Sequence, residues 1–421
     1  MDEIVIHALS VTGDGIGRLS DGRVVFVPNA LPGDTVRVRL TGMRKRVQLA
    51  ELEEILVPSP GREASLCPVE ACGGCVLKGA SAALQAQTKG QAVAEGLRRL
   101  GGIDVTPLLG PLRQFGTGWA YRHRVRLHAA WDGAAWQLGY FERRTRKLVP
   151  LTVCPVVWPE LEALALRLGQ QVANLPQEAA LSEVELAYSR RDGRGAAKIS
   201  CKGPAAALRK SLAWFELSGL AGVEVEGTDD RWRHGNLELR YDHRHADKFD
   251  LRYEPGLFTQ AFPEANDALV EAVAAAIRPH SAPRLLELHA GIGNFSVALA
   301  RAGARVVAYE RNRRAAILGQ RNGRAPGLHL EFHAKSDSEA LAQVGEFDVT
   351  LLDPPRVGAR EVAEALAQRG SARVVYVSCD VGTLARDAAI LLQGGYRLVS
   401  IEAFDLFPQT PHIESLTVFE R

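Results

Sequence analysis

From Arg284 onward the sequence alternates strand-like and helix-like patterns, and this alternation narrows the possible folds more than any other feature of the chain. Leu285–Leu288, Val306–Tyr309, Val349–Leu352 and Val374–Val377 are short, mostly apolar runs rich in β-branched and aromatic residues. Strands buried on both faces read this way, and strands alternating with helices predict a parallel sheet covered by helices. In such a sheet, ligands bind beyond the carboxyl ends of the strands. Each run here ends in residues capable of chemistry: Gly291-x-Gly293, Glu310, Asp353-Pro354-Pro355-Arg356 and Ser378-Cys379-Asp380.

The Gly291-x-Gly293 turn lets the backbone approach a ligand, and Asn294 and Ser296 are placed to cap the helix that follows. Glu310, an acid at the end of the second strand, is positioned to take ribose hydroxyls. The turn lacks the G-x-G-x-x-G spacing of dinucleotide binders. Turn and acid together point to an adenosine cofactor, with S-adenosyl-L-methionine the best fit. Arg356 replaces the Tyr that would suggest adenine N6 methylation after Asp-Pro-Pro. Cys379 taken alone would read as a buried, inert thiol.

Residues 1 to about 57 carry short strand-like runs separated by Gly- and Pro-containing turns. Five short strands in this length predict an OB-like barrel, a common nucleic-acid platform. Arg44-Lys45-Arg46 on a loop tilts it toward RNA. Pro58-Ser59-Pro60-Gly61 is a linker, and a helical stretch runs from about Ser81 to Leu100. Between them, Cys67, Cys72 and Cys75 follow C-x4-C-x2-C, with Cys154 as a plausible fourth ligand. Three thiolates this close predict a metal, and Gly73-Gly74 lets the backbone wrap around it. The spacing leaves both an iron–sulfur cluster and tetrahedral zinc open.

Residues 111–150 hold eight Arg and Lys against Asp132 and Glu142, interleaved with seven aromatic residues. Cations for phosphates and rings for bases suit single-stranded RNA. The alternative is that the rings are core and the cations line the outer face of a sheet. Alternation in YRHRVRL predicts Arg122, Arg124 and Arg126 on one side of a strand. Residues 160–255 read as mixed helix and strand, with a turn at Arg191-Asp192-Gly193 and a structural Cys201.

The 421 residues allow two or three domains, and a net charge of +2 says little about partners. No signal peptide is read at the amino terminus, and no apolar run approaches the ~20 residues of a membrane span. A cytoplasmic protein is expected, and a reducing compartment favours metal over disulfides.

In order, GLFTQ, ELHAGIGNF, YE, LLDPPR, YVSCDVGTLARD and DLFPQTPHIESL resemble the RNA uracil-5 methyltransferase family, and the match covers nearly the whole chain. The stretch from PNALPGD resembles a TRAM domain, and CPVEACGGC with Cys154 resembles the [4Fe-4S] site of the 23S rRNA branch. The resemblance implies an α/β fold: a Rossmann-like class I methyltransferase domain, an N-terminal barrel and a mixed α+β central domain carrying the iron–sulfur site. It implies a barrel at 1–57, a central RNA-binding domain at 58–78 and 114–254, and a methyltransferase domain at 79–113 and 255–421. Cys379 would be the nucleophile and Glu414 the base. Gln260, His289, Asn294, Glu310 and Asp353 would bind S-adenosyl-L-methionine, Phe258 would lie near the target base, and Cys67, Cys72, Cys75 and Cys154 would hold the cluster. The family usually has Asn where this chain has Asp380, His and Gly at Gln409 and Pro411, and an aromatic residue at His289.

The implied reaction is methylation of carbon 5 of a uridine, with 23S rRNA the expected partner and a monomer the expected state. The TRAM module and the cluster favour rRNA over tRNA, the first rival. RNA cytosine-5 methylation is a second rival, although its nucleophile usually follows Pro or Thr and here follows Ser378. A non-catalytic iron–sulfur RNA-binding protein is the rival of another class.

Overall fold

The computed structural model describes residues 2–44, 47–209, 212–243, 249–277 and 283–421, so Lys45 and Arg46 of the basic loop lie outside the described residues. Strands β1 (Asp2–Leu9), β2 (Gly15–Arg18), β3 (Val24–Val27), β4 (Thr35–Arg44) and β5 (Val47–Val57) close into a barrel in the order β1-β2-β3-β5-β4. Alternation along β4 buries Val36 and Val38 completely, while Arg37 and Arg39 point outward to Glu54 and Glu51 of β5. Helix α1 (Ala82–Gly101) starts where Ser81 Oγ accepts the Leu84 N–H at 3.1 Å, and it ends at left-handed Gly102. Its buried Val93 and Leu97 share a core with Leu384 and Ala385 of the C-terminal half.

The middle of the chain forms β6 (Arg124–Trp131), β7 (Trp136–Phe141), β8 (Leu148–Pro150), α2 (Pro159–Val172), β9 (Leu181–Ser189), β10 (Arg194–Cys201), α3 (Ala206–Arg209), α4 (Ala213–Ser218), β11 (Gly222–Glu226) and β12 (Arg231–Gly235). Its strands make one sheet in the order β12-β11-β10-β9-β6-β7-β8. The aromatic residues of the basic stretch belong largely to the core: Tyr121 and Trp136 are buried, and Phe115, Trp119, Trp131 and Tyr140 pack against them or their neighbours. The expected row of three arginines is corrected to two. The strand begins at Arg124, so Arg124 and Arg126 share Glu185 on one face, whereas Arg122 lies ahead of it in an isolated bridge to Val157. Cys201 is buried at the end of β10. Next, β13 (Leu239–His243) and β14 (Phe249–Tyr253) pair as a separate hairpin.

The C-terminal half runs α5 (Pro263–Ile277), β15 (Arg284–Leu288), α6 (Ser296–Arg301), β16 (Arg305–Tyr309), α7 (Arg313–Asn322), β17 (Leu330–His333), α8 (Asp337–Ala340), β18 (Val349–Leu352), α9 (Arg360–Arg369), β19 (Arg373–Ser378), α10 (Val381–Gln393), β20 (Arg397–Phe404) and β21 (Glu414–Glu420). The sheet order is β17-β16-β15-β18-β19-β21-β20, with β21 antiparallel to both neighbours. The parallel sheet expected from the alternating pattern is present in β15 to β19, as is the Rossmann-like arrangement that the resemblance implies. Strand order reverses between β15 and β18, and a crevice at such a switch point is where a doubly wound sheet binds ligands. Among the described residues, no helix is long and apolar enough to cross a membrane.

Candidate active site

The register of β19 against β21 places Ser378 opposite Ser415, and Ser415 Oγ donates to the Ser378 carbonyl at 3.2 Å. Cys379 and Glu414, the next residues outward, therefore lie together at the carboxyl end of β19, just before α10 begins. Asp353 sits just past β18, the parallel neighbour of β19 on its other side. Three acidic groups thus share one strand-end layer. Burial pushes the Cys379 thiol up to about 12, and the charges of Glu414 and Asp353 add to the rise. Burial raises Asp353 to about 7. Glu414, 2% exposed, is raised well above the usual carboxylate range by burial and then by Asp353. Arg356 opposes both the Cys379 and Glu414 shifts, as a neighbouring cation must. Its Nη2 lies 3.1 Å from His412 Nε2, and burial followed by that cation holds His412 down at about 4, so the imidazole is neutral.

Asp380 does not aim at the thiol. Its carboxylate caps α10, with Oδ1 accepting the Thr383 N–H at 2.8 Å and the Thr383 hydroxyl at 3.2 Å. An Asn would make the same cap, so the Asp-for-Asn departure preserves the helix start.

Gln260, His289, Asn294 and Asp353 line one pocket together with Phe258, and Phe258 is 63% exposed. Glu310 organises the glycine turn from behind: its carboxylate accepts the Gly291 N–H at 2.9 Å and the Asn312 N–H at 2.6 Å. His289 and Gly291 both have positive φ, 63° and 56°, which bends the chain away and opens the pocket. His289 Nε2 lies 3.2 Å from the Asp337 carboxylate. Gln260 Oε1 is buried with no hydrogen-bond partner among the described residues, so a ligand donor would satisfy it. These features fit an adenosine cofactor. The expected capping by Asn294 and Ser296 is corrected: Asn294 exchanges two 2.9 Å bonds with Asn266, and Ser296 donates to Glu287, so α6 begins without a side-chain cap. Glu287 is fully buried, and a hydroxyl beside a desolvated carboxyl, itself raised to about 8, is better used there than at a helix end.

Cys67, Cys72, Cys75 and Cys154 line a second, smaller cavity. Burial lifts Cys75 to about 12 and raises Cys72 and Cys154, and the Arg122 cation opposes the rise at Cys75 and Cys154. Gly73 is required by the loop's path, since a Cβ there would lie 2.7 Å from the Arg143 nitrogen. Tyr140 places its hydroxyl 3.7 Å from Cys154 Sγ. Among the described residues, no group of three or more His, Cys, Asp or Glu is arranged to hold a metal ion. The four thiols share one enclosure, which is the donor set a cluster needs.

The pairing of Arg356 with His412 was not read from the sequence. Its one sequence signal is the presence of Arg356 in LLDPPR and His412 in DLFPQTPHIESL, which alone does not say who pairs with whom.

A model of the TRAM domain matches residues 3–52, and one described as tRNA (Uracil-5-)-methyltransferase matches residues 337–421. The chain is 34% identical to the 23S rRNA (uracil(1939)-C(5))-methyltransferase of Alkalilimnicola ehrlichii, over 100% of this chain and 96% of that protein. It is 31% identical to the enzyme of the same name from Dechloromonas aromatica, over 99% and 98%. The solved structure of Pyrococcus abyssi tRNA (uracil-54, C5)-methyltransferase with S-adenosyl-L-homocysteine shares the fold, with a TM-score of 0.77 at 24% identity over 99% of both chains.

Proposed function

The chain belongs to the RNA uracil-5 methyltransferase family, and from that premise we propose that it methylates carbon 5 of a uridine in 23S rRNA with Cys379 as nucleophile and Glu414 as base. It is an S-adenosyl-L-methionine-dependent enzyme. The observation that supports the assignment of roles is that Cys379 and buried Glu414 lie one residue past the Ser378–Ser415 pair, with the Glu414 charge acting on the thiol, beside a pocket lined by Gln260, His289, Asn294 and Asp353.

Carbon 5 of uracil is too weak a nucleophile to be alkylated directly. The Cys379 thiolate adds to carbon 6, the ring becomes an enolate, and carbon 5 becomes nucleophilic. When bound, S-adenosyl-L-methionine supplies the methyl group that carbon 5 takes. Glu414 then removes the carbon 5 proton, the electron pair re-forms the double bond, and the thiolate leaves. Arg356 favours the ionised forms of both groups, and neutral His412 keeps that cation in place without adding charge. Gln260, His289, Asn294, Glu310 and Asp353 would hold the cofactor, with Glu310 also fixing the turn. Phe258, exposed at the pocket mouth, would meet the base once it leaves its stack.

Cys67, Cys72, Cys75 and Cys154 would hold a [4Fe-4S] cluster in a structural or RNA-positioning role; their shared cavity and the close-fitting Gly73 support this. The packing of α1 on α10 supports grouping 79–113 with 255–421 in the methyltransferase domain, apart from 1–57 and the central segments 58–78 and 114–254. The test is trapping with 5-fluorouridine-containing RNA. Fluorine at carbon 5 cannot be abstracted, so a covalent adduct should accumulate with rRNA and vanish in Cys379→Ala. An adduct with tRNA alone would reassign the substrate, and none with either RNA would overturn the reaction.

A further inference from the structure

Two pairs of arginines face each other across an open cleft between the central sheet and the C-terminal half. Arg231 and Arg233 lie two residues apart on β12, the edge strand of the central sheet. Arg314 and Arg321 lie seven apart on α7, hence on one face of it. All four line the same cleft, together with Glu254 and Leu257.

Two carboxylates hold the inner pair. Glu224, completely buried, accepts from Arg233 Nε at 2.6 Å and from Arg314 Nη1 at 2.8 Å. Glu254 accepts from Arg233 Nη2 at 3.1 Å and from Arg314 Nη2 at 3.0 Å. A buried carboxylate gripping two guanidinium groups fixes their planes before a ligand arrives, so binding need not order them. A clamp between the two halves needs only this inner pair. The outer pair, Arg231 and Arg321, is bonded to Glu226 and Glu238 and stays 47% and 46% exposed. Arg231 Nε also lies 4.0 Å from Glu224. Lys198 shares Glu226 at 2.6 Å and Arg252 shares Glu238 at 3.1 Å, so six cations meet four carboxylates here, and an open cleft with that excess draws anions.

The cleft adjoins the reaction site through one loop. Leu257 lines the cleft, while Phe258, Thr259 and Gln260 line the cofactor pocket. Arg124 Nη1 fixes that boundary by donating to the Leu257 carbonyl at 3.1 Å and the Thr259 carbonyl at 3.2 Å. An RNA whose base enters beside Phe258 must carry its neighbouring backbone over a rim of this pocket.

We propose that the cleft formed by Arg231, Arg233, Arg314 and Arg321 binds backbone phosphate of the substrate RNA next to the target uridine. The inference rests on the RNA substrate read above. The experiment compares the full-length protein with the double variant Arg231→Gln, Arg321→Gln, which keeps the bonds of Arg233 and Arg314 to Glu224 and Glu254. Binding of a labelled rRNA fragment is measured across a salt series. The double variant should bind roughly tenfold more weakly near 0.1 M salt, and the slope of log affinity against log salt should shrink by about 1.4, given ~0.7 for each of two single-strand phosphate contacts. A control variant, Arg98→Gln with Arg99→Gln, removes equal charge from the exposed end of α1. An equal loss in that control, or an unchanged slope in the test variant, overturns the site. If the wild type itself binds no RNA, the substrate reading falls first and the site with it.

Discussion

The ammonium of Lys89 lies 2.7 Å from Oδ1 of Asp405, and each side chain is 2% exposed. Lys89 belongs to α1, and Asp405 opens the loop that carries His412 and ends at Glu414. Lys89 Nζ also donates to the Phe407 carbonyl at 3.1 Å, and Gln85 accepts the Gln409 N–H at 2.8 Å. Gln409 sits at φ 68°, a conformation that a residue with a side chain keeps only when its surroundings impose it. Helix α1 therefore grips the loop that feeds the base-bearing strand.

Removing one partner of that pair should be costly. Burial drives the Lys89 and Asp405 ionisations in opposite directions, so each charge depends on the other. Lys89→Met should destabilise the fold by about 3–5 kcal/mol, because it strands a buried carboxylate. Lys89→Met with Asp405→Asn should recover part of the loss. Denaturant unfolding of the two variants measures this, and equal destabilisation by both would mean that packing, not pairing, dominates.

The roles of Cys379 and Glu414 separate in the order of bond making. Cys379→Ala should form no adduct with any RNA. Glu414→Gln keeps the thiol and the shape, so it should form the adduct, transfer the methyl and then stall. Unmodified rRNA should accumulate covalently on Glu414→Gln, with turnover reduced by ~10²–10⁴ as for a lost general base. Denaturing gels with methyl-labelled cofactor detect it, and an absence of methyl label in the adduct would place Glu414 before methyl transfer.

Much of this centre was legible in the sequence because chemistry sits at strand ends, and strand ends are marked by where apolar runs stop. That logic located Cys379, Asp353, Glu310 and the glycine turn, and the barrel and parallel sheet follow the same periodicities. Pairings between distant segments were not legible: Lys89 and Asp405 are 316 residues apart, and Arg356 and His412 are 56 apart. Local rules also failed where burial overrode them. Ser296 is a good cap by type, yet the buried Glu287 takes its hydroxyl. Arg122 alternates with Arg124 in sequence, but its neighbourhood is the cysteine cavity, not the sheet face.

The thiol's elevated position gives the reaction a pH signature. A thiol held near 12 is almost wholly protonated at neutral pH, and each unit of pH raises the thiolate fraction about tenfold. Adduct formation should therefore accelerate as pH rises through 7 and 8. Arg356 lowers the thiol and Glu414 together, so Arg356→Gln should push both upward and move the rising limb to more alkaline pH. Rates of 5-fluorouridine trapping against pH test the sign. A limb that stays in place would assign Arg356 to binding alone.

Asp380 offers the sharpest separation of helix capping from charge. Its carboxylate caps α10 through Thr383, and its negative charge also raises the adjacent thiol, though less than burial, Glu414 and Asp353 do. Asp380→Asn keeps an equally good cap and removes the charge. Stability should change little, while the trapping rate at pH 7 should rise a few-fold because more Cys379 is ionised. Asp380→Ala removes the charge and the cap together. It should lose about 1 kcal/mol of stability and, if the start of α10 frays, misplace Cys379 and trap more slowly than Asp380→Asn despite the lower thiol pKa. Unfolding curves and trapping rates for both variants decide the matter. Equal rates in the two would show that charge alone matters at this position, and a slower Asp380→Asn would show that the carboxylate contributes something that an amide cannot.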